Sequence, residues 1–191
     1  MEYYNEDFQK IFDQKKSELK ATANLIFLDQ NGIKHITQTV FKTLDSFKTT
    51  DFIFFIASSF FNRFGDTEVF KDVFPDLNAN EFNNKPYSDI HRTILEYYKK
   101  QLPVNSQTKL YPFTIKKNQN IYGLIFGTKH VLGIEKFLRI AWDKNSINGE
   151  ANFDIDEDSD PQLVLFSKIS YNKCYKDKEI INFKVIKNEK N

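Results

Sequence analysis

The sequence predicts an α/β fold: a short parallel sheet flanked by helices and closed by an antiparallel hairpin. Three observations carry that expectation. Leu25–Leu28 is a brief apolar run that breaks at Asp29-Gln30-Asn31-Gly32, as a buried strand ending at a turn does. Asp51–Phe60 (DFIFFIASSF) is a second such run, separated from the first by one amphipathic helical stretch. Parallel neighbours need a crossover of that kind, so the two runs are expected side by side. Lys109–Lys117 and Ile121–Phe126 are then joined by only Asn118-Gln119-Asn120, too short for any crossover, so they form a hairpin.

The other elements follow in order. Asp7–Leu19 places Phe8, Ile11, Phe12, Lys15 and Leu19 on one stripe at helical spacing. Leu25–Leu28 is expected to be covered on both faces. Thr37–Phe47 carries Val40, Leu44 and Phe47 on one side and supplies the crossover helix. Residues Asn62–Asn84 are rich in turn formers and contain Pro75, which predicts short helical pieces and loops. Tyr87–Leu102 is a helix with Ser88 as its cap and Ile90, Ile94, Tyr97 and Tyr98 on its apolar side, ended by Pro103. Val131–Asp143 is an amphipathic helix with Leu132, Ile134, Phe137, Leu138 and Trp142 available to pack inward. Beyond Asn145 the chain becomes polar. Asp154–Asp160 (DIDEDSD) reads as a solvated linker, Leu163–Phe166 as a brief apolar patch, and Tyr171–Asn191 as a lysine-rich tail.

Bulk composition bounds the function. A chain of 191 residues makes one domain and buries about 70% of its unfolded surface without staples. The 27 basic and 26 acidic residues leave a net charge of +1, which gives no global electrostatic footprint for nucleic acid. The lone Cys174 excludes an internal disulfide and a cysteine-built metal site. The amino terminus is polar, and no apolar run approaches the roughly 20 residues of a membrane helix. A cytoplasmic protein without a membrane partner is expected.

In sequence order these elements describe two parallel strands followed by an antiparallel terminal pair. That is the second half of a class I methyltransferase-type sheet, a partial Rossmann-like fold. Such sheets work at the carboxyl ends of their strands, which brings several residues forward. Asp29 and Gln30 are the catalytic candidates there, with Asn31 to bind substrate, because a carboxylate or amide can hold an amino group in line with a methyl donor. The plain alternative is that Asp29 caps the next helix while Asn31-Gly32 turns the chain. Asn62 and Arg63 follow the second strand, and Arg63 suits a bidentate grip on phosphate or carboxylate; a surface pair with Asp66 or Glu68 is the rival reading. Gly127-Thr128-Lys129-His130 lies between the last strand and its helix. Thr128 and Lys129 suit an anion there, and His130 suits a general base, against a cap or packing role.

Other chemistries lack their patterns. His35 and His91 are placed on helices among polar neighbours, and no His-Glu-x-x-His or His-x3-His spacing exists, so no metal site is expected. Ser58-Ser59 forms no nucleophile elbow. The Tyr3-Tyr4 and Tyr97-Tyr98 pairs are able to stack bases, but burial is the simpler account of both.

Three stretches carry a family resemblance. NLIFLDQNGIKH, TTDFIFFIASSFFNRF and IYGLIFGTKHVLGIEKFLRIAWDKNSINGEANFDID resemble the three-Cys-motif partner (TcmP) family over about Asn5 to Asp156. The resemblance implies a methyltransferase-related protein, found in bacterial and phage-associated gene clusters. It implies action with a radical-SAM-like three-Cys-motif protein on nucleic acid or a related substrate. S-adenosylmethionine is implied as cofactor by the resemblance alone. Two family features have no counterpart: the opening strand with its glycine-containing cofactor loop, since the first glycine is Gly32, and the carboxyl-terminal winged helix. The expectation is thus the carboxyl-terminal half of the family's domain over residues 1–156, truncated at both ends, with a polar tail over 157–191. Half a sheet leaves an open strand edge, so a non-catalytic adaptor, or self-association through that edge, is the competing expectation. A nucleic-acid module built on the lysine-rich tail is a third.

Overall fold

The computed structural model describes residues 3–29, 35–57, 67–77, 87–146 and 149–155. They form five helices and four strands. Helix α1 (Phe8–Ala21) starts at Asp7, whose carboxylate accepts from the amides of Gln9 and Lys10, the usual remedy for unpaired donors at a helix start. Strand β1 (Asn24–Leu28) follows. Helix α2 (Gln38–Ser46) is capped by Thr37, whose hydroxyl accepts from the Val40 amide. Strand β2 (Thr50–Ala57) comes next, then the short α3 (Glu68–Val73) and the long α4 (Tyr87–Gln101). The hairpin is β3 (Lys109–Lys117) and β4 (Asn120–Thr128), and α5 (Val131–Lys144) ends the series.

The sheet order is β1-β2-β4-β3. β1 and β2 run parallel, with Ile26 opposite Phe52, as their intervening helix requires. β2 and β4 are antiparallel, with Phe54 opposite Ile125, and β3 lies outside β4 with Pro112 opposite Ile125. The hairpin turn is tighter than expected. Asn120 already belongs to the returning strand, and Asn118 adopts a positive φ of 56°, a conformation asparagine tolerates better than most residues.

The two faces of the sheet are unequal. On one, Leu28, Phe52, Phe54, Ile56, Leu110 and Ile125 meet the apolar sides of α1 to α4 in a single large core. Tyr97 and Tyr98 are buried there, and the Tyr98 hydroxyl donates to the Ile36 carbonyl at 2.7 Å, so burial rather than base stacking accounts for the pair. On the other face a smaller cluster of Tyr111, Phe126, Ile134 and Leu138 lies under α5. α4 crosses closest at Gly123, where any Cβ would sit 2.6 Å from the Cβ of His91.

Several expectations need correction. β1 is not covered on both faces, because the α5 cluster packs over β3, β4 and Ile53 of β2 and leaves Leu25 and Phe27 exposed. Leu132 does not pack inward; it lies half-exposed beside the amino-terminal end of β1. Ser88 lies within the first turn of α4 rather than at its cap. His35 sits in a bend ahead of α2, not on a helix. His91 is on a helix among polar neighbours as expected, and it is wholly buried with Glu150 and Thr114. No helix among the described residues is long and apolar enough to cross a membrane.

Candidate functional site

Alternation along β1 builds an unusual surface. Asn24, Ile26 and Leu28 face the core, which sends Leu25 and Phe27 to the outer face, where they are 67% and 58% exposed. On that face Ile53 stands opposite Phe27, and Phe55 follows on β2 with its ring 5.2 Å from that of Tyr122. Across from β1, α5 presents Leu132, Lys136 and Ile140 at i, i+4 and i+8, one stripe of a helix. Leu132 and Lys136 line a cleft together with Ala23 and Asn24, so this stripe looks toward β1. The result is an exposed apolar strip on β1, with a lysine-lined cleft at the strand's amino-terminal end. β1 is also a sheet edge, because among the described residues nothing pairs with its outer side.

The opposite edge is closed. Thr114 of β3 accepts from Asn152 and donates to the Glu150 carbonyl, and the Asn152 side chain bonds both the amide and the carbonyl of Lys116. Segment 149–155 thus occupies the free side of β3. It is locked by a buried cluster. Arg92 donates Nε to Glu150 Oε1 and Nη2 to Oε2, each at 2.9 Å. His91 Nε2 lies 3.3 Å from Oε1, and the Thr114 hydroxyl is 2.8 Å from His91 Nε2 and 3.0 Å from Nδ1. Because a carboxylate only accepts, His91 presents Nε2–H on the side of Glu150. Burial pushes the Glu150 carboxyl up, but hydrogen bonds from His91 and Arg92, together with the Arg92 charge, outweigh it and hold its pKa at about 2. Hydroxyl, imidazole and carboxylate are the groups of a nucleophile relay, but the Thr114 hydroxyl lies nearest the same ring nitrogen that faces Glu150. Here all three side chains are fully buried, so no substrate reaches them, and the cluster serves as a clamp.

The residues singled out from sequence fall at two ends of the sheet. Asp29 lies exposed just beyond β1, at the carboxyl ends of the parallel strands. It does not cap α2, since Thr37 does. Gln30, Asn31, Asn62 and Arg63 lie outside the described residues. Thr128, Lys129 and His130 stand at the other end, because β4 runs against β2 and Thr128 comes level with Asp51. Four residues of strand, about 13 Å, and two strand spacings separate the two groups. Asp29 and His130 are not brought into one centre.

Each member of the second group already has a partner. The Thr128 hydroxyl donates to Asp51 Oδ1 at 2.5 Å and accepts from the His130 amide at 3.0 Å. Gly133 makes room for that arrangement, as a Cβ there would lie 2.5 Å from Thr128 Oγ1. Lys129 reaches across to the end of α2, donating to the carbonyls of Asp45 and Phe47, with its Nζ 3.8 Å from Asp45 Oδ1. A cation is favoured at a helix carboxyl terminus. His130 caps α5, with Nδ1 accepting from the Leu132 amide at 3.2 Å. In the neutral ring the proton then resides on Nε2, which leaves no free lone pair for a general base.

Sequence reasoning missed Glu150 and Arg92, and it missed the burial of His91. The signal was faint: Glu150 directly follows Gly149, which has a positive φ of 60°. No group of His, Cys, Asp and Glu among the described residues is arranged to hold a metal. Comparison with protein-family models, with curated proteins and with solved structures gives no match in any of the three.

Proposed function

We propose that this chain is a TcmP-like, methyltransferase-related protein that acts as an interaction subunit, its sheet completed along β1 by a second polypeptide. What carries the reading is one observation: Leu25 and Phe27 are exposed on a strand whose outer edge has no partner among the described residues. Exposed edges invite strand addition, and proteins ordinarily blunt them with charge or proline. β1 (NLIFL) has neither. The strand order supports the methyltransferase relation, since a parallel pair followed by an antiparallel terminal pair is the second half of that sheet. The three quoted stretches support the family.

The residues present do not fit S-adenosylmethionine. Its methionine end calls for the glycine-containing turn that follows the opening strand of such a sheet, and in the half-sheet reading that strand has no counterpart among β1 to β4. No methyl-transfer step is assigned to this chain alone. The favoured partner is a radical-SAM-like three-Cys-motif protein, with nucleic acid as the substrate of the pair.

Size-exclusion with light scattering tests the reading, on the full chain alone and mixed with such a protein. A complex or homodimer is expected, and the double variant Leu25→Asp/Phe27→Asp should abolish it while melting at the same temperature. A wild-type chain that stays monomeric at high concentration, alone and in the mixture, refutes the interaction role. Micromolar binding of S-adenosylmethionine to the isolated chain refutes the non-catalytic part.

A further inference from the structure

At the amino-terminal ends of β1 and β2 lies a cleft of ≈ 680 Å³, within the range of small-molecule sites. It is lined by Asn24, Thr50 and Asp51 at the strand ends, with Ala23, the α2–β2 connection, Gln107 and the first turns of α5 around them. Three lysines line it: Lys48, Lys129 and Lys136. Lys129 is committed to the end of α2. Lys48 and Lys136 have no hydrogen-bond or ion-pair partner among the described residues, so the mouth of the cleft carries two uncompensated cations. Among the described residues Asp51 is the one carboxylate in the lining; its Oδ1 accepts from the Thr128 hydroxyl, and Oδ2 remains to accept a further hydrogen bond.

The start of α5 is not what would hold an anion. The amides of His130, Leu132, Gly133 and Ile134 are already bonded to Thr128 Oγ1, His130 Nδ1 and the His130 carbonyl. The attraction comes from the two free ammonium groups, and lysine serves as a phosphate binder through its point charge. Two like charges sharing one concavity raise its potential, which draws an anion there. Asp51 would repel a phosphate placed against it but accepts hydroxyl protons readily. The arrangement therefore has a polarity: phosphate at the mouth, hydroxyls inward, and Leu132 and Ala23 as apolar wall.

We propose that this cleft binds a small phosphomonoester bearing hydroxyl groups, of the size of a sugar phosphate or nucleoside monophosphate. It is a ligand site at the opposite end of the sheet from Asp29, built by Lys48 and Lys136 rather than by the Thr128–His130 loop. It does not depend on the docking of a partner along β1.

Calorimetric titration of the full chain with ribose 5-phosphate, adenosine monophosphate, inorganic phosphate and adenosine tests it. The two phosphomonoesters should bind with Kd on the order of 0.1 mM, inorganic phosphate more weakly, and adenosine not at all. Lys48→Ala/Lys136→Ala should weaken the phosphomonoesters at least tenfold with an unchanged melting temperature, since both side chains are exposed. Asp51→Asn tests the inward end: the ester's advantage over inorganic phosphate should shrink, and circular dichroism checks that this variant is folded. Absence of binding up to 10 Kd of the expected value overturns the proposal, as does affinity indifferent to the loss of both lysines.

Discussion

Arg92 holds both oxygens of Glu150, one through Nε and one through Nη2, each at 2.9 Å. The pair joins the first half of α4 to a segment 58 residues further along the chain, and through it to the free edge of β3. A bidentate guanidinium–carboxylate pair is the strongest common form of this contact. Its burial makes it demanding, because an unpaired charge left there costs more than the pair contributes.

Glu150→Gln should therefore lower stability by about 3 kcal/mol at neutral pH, read as a shift of the urea midpoint without a change of slope. The pH dependence has a definite sign. The carboxyl titrates at about 2 in the folded protein against 4.5 ordinarily, so its contribution is complete above pH 4.5 and drains away as pH falls toward 2. Wild type and Glu150→Gln should thus converge in stability between those values. A gap that stays constant down to pH 3 would contradict the clamp.

Gly123→Ala tests how closely α4 approaches the sheet. The added methyl would fall 2.6 Å from the Cβ of His91, and neither atom is the far end of a flexible chain. The helix must shift, at a cost of about 1–3 kcal/mol. Trimming the imidazole gives no relief, because His91→Ala keeps the offending Cβ. Recovery of stability in Gly123→Ala/His91→Ala would show that the ring, not the backbone approach, sets the distance.

What the sequence disclosed depended on range. The parallel pair, the hairpin and α2 were legible because each rests on local periodicity and connection length, and Thr37 and Phe47 bound α2 as expected. The coverage of β1 was not legible. A run such as Leu25–Leu28 looks the same whether one face or two are packed, and only the placement of α5 decides it. The Glu150 clamp was invisible for the same reason, as its partners lie 58 and 59 residues away. Lys129 and His130 were singled out correctly as members of a strand–helix junction. Their roles depend on where the end of α2 happens to lie.

Lys129→Met separates those roles. Methionine keeps the apolar stem but removes the ammonium from the carbonyls of Asp45 and Phe47, leaving the carboxylate of the buried Asp45 with Ser106 and Thr108, each at 2.6 Å. Hydrogen bonds to a charged donor contribute about 1.5–3 kcal/mol, so thermal unfolding should occur several degrees lower. A side chain kept only for substrate would leave the melting temperature unmoved.

His130 offers the complementary test at the start of α5. Its ring nitrogen does what an aspartate or asparagine oxygen does at a helix cap, accepting from the Leu132 amide. His130→Asp should match or exceed wild-type stability, because aspartate is among the best caps and its charge suits a helix amino terminus. His130→Ala should cost about 1 kcal/mol. If the imidazole were instead a working base, both variants would lose activity equally while stability stayed level. The cap assignment requires the two to part in chemical denaturation, with alanine below aspartate.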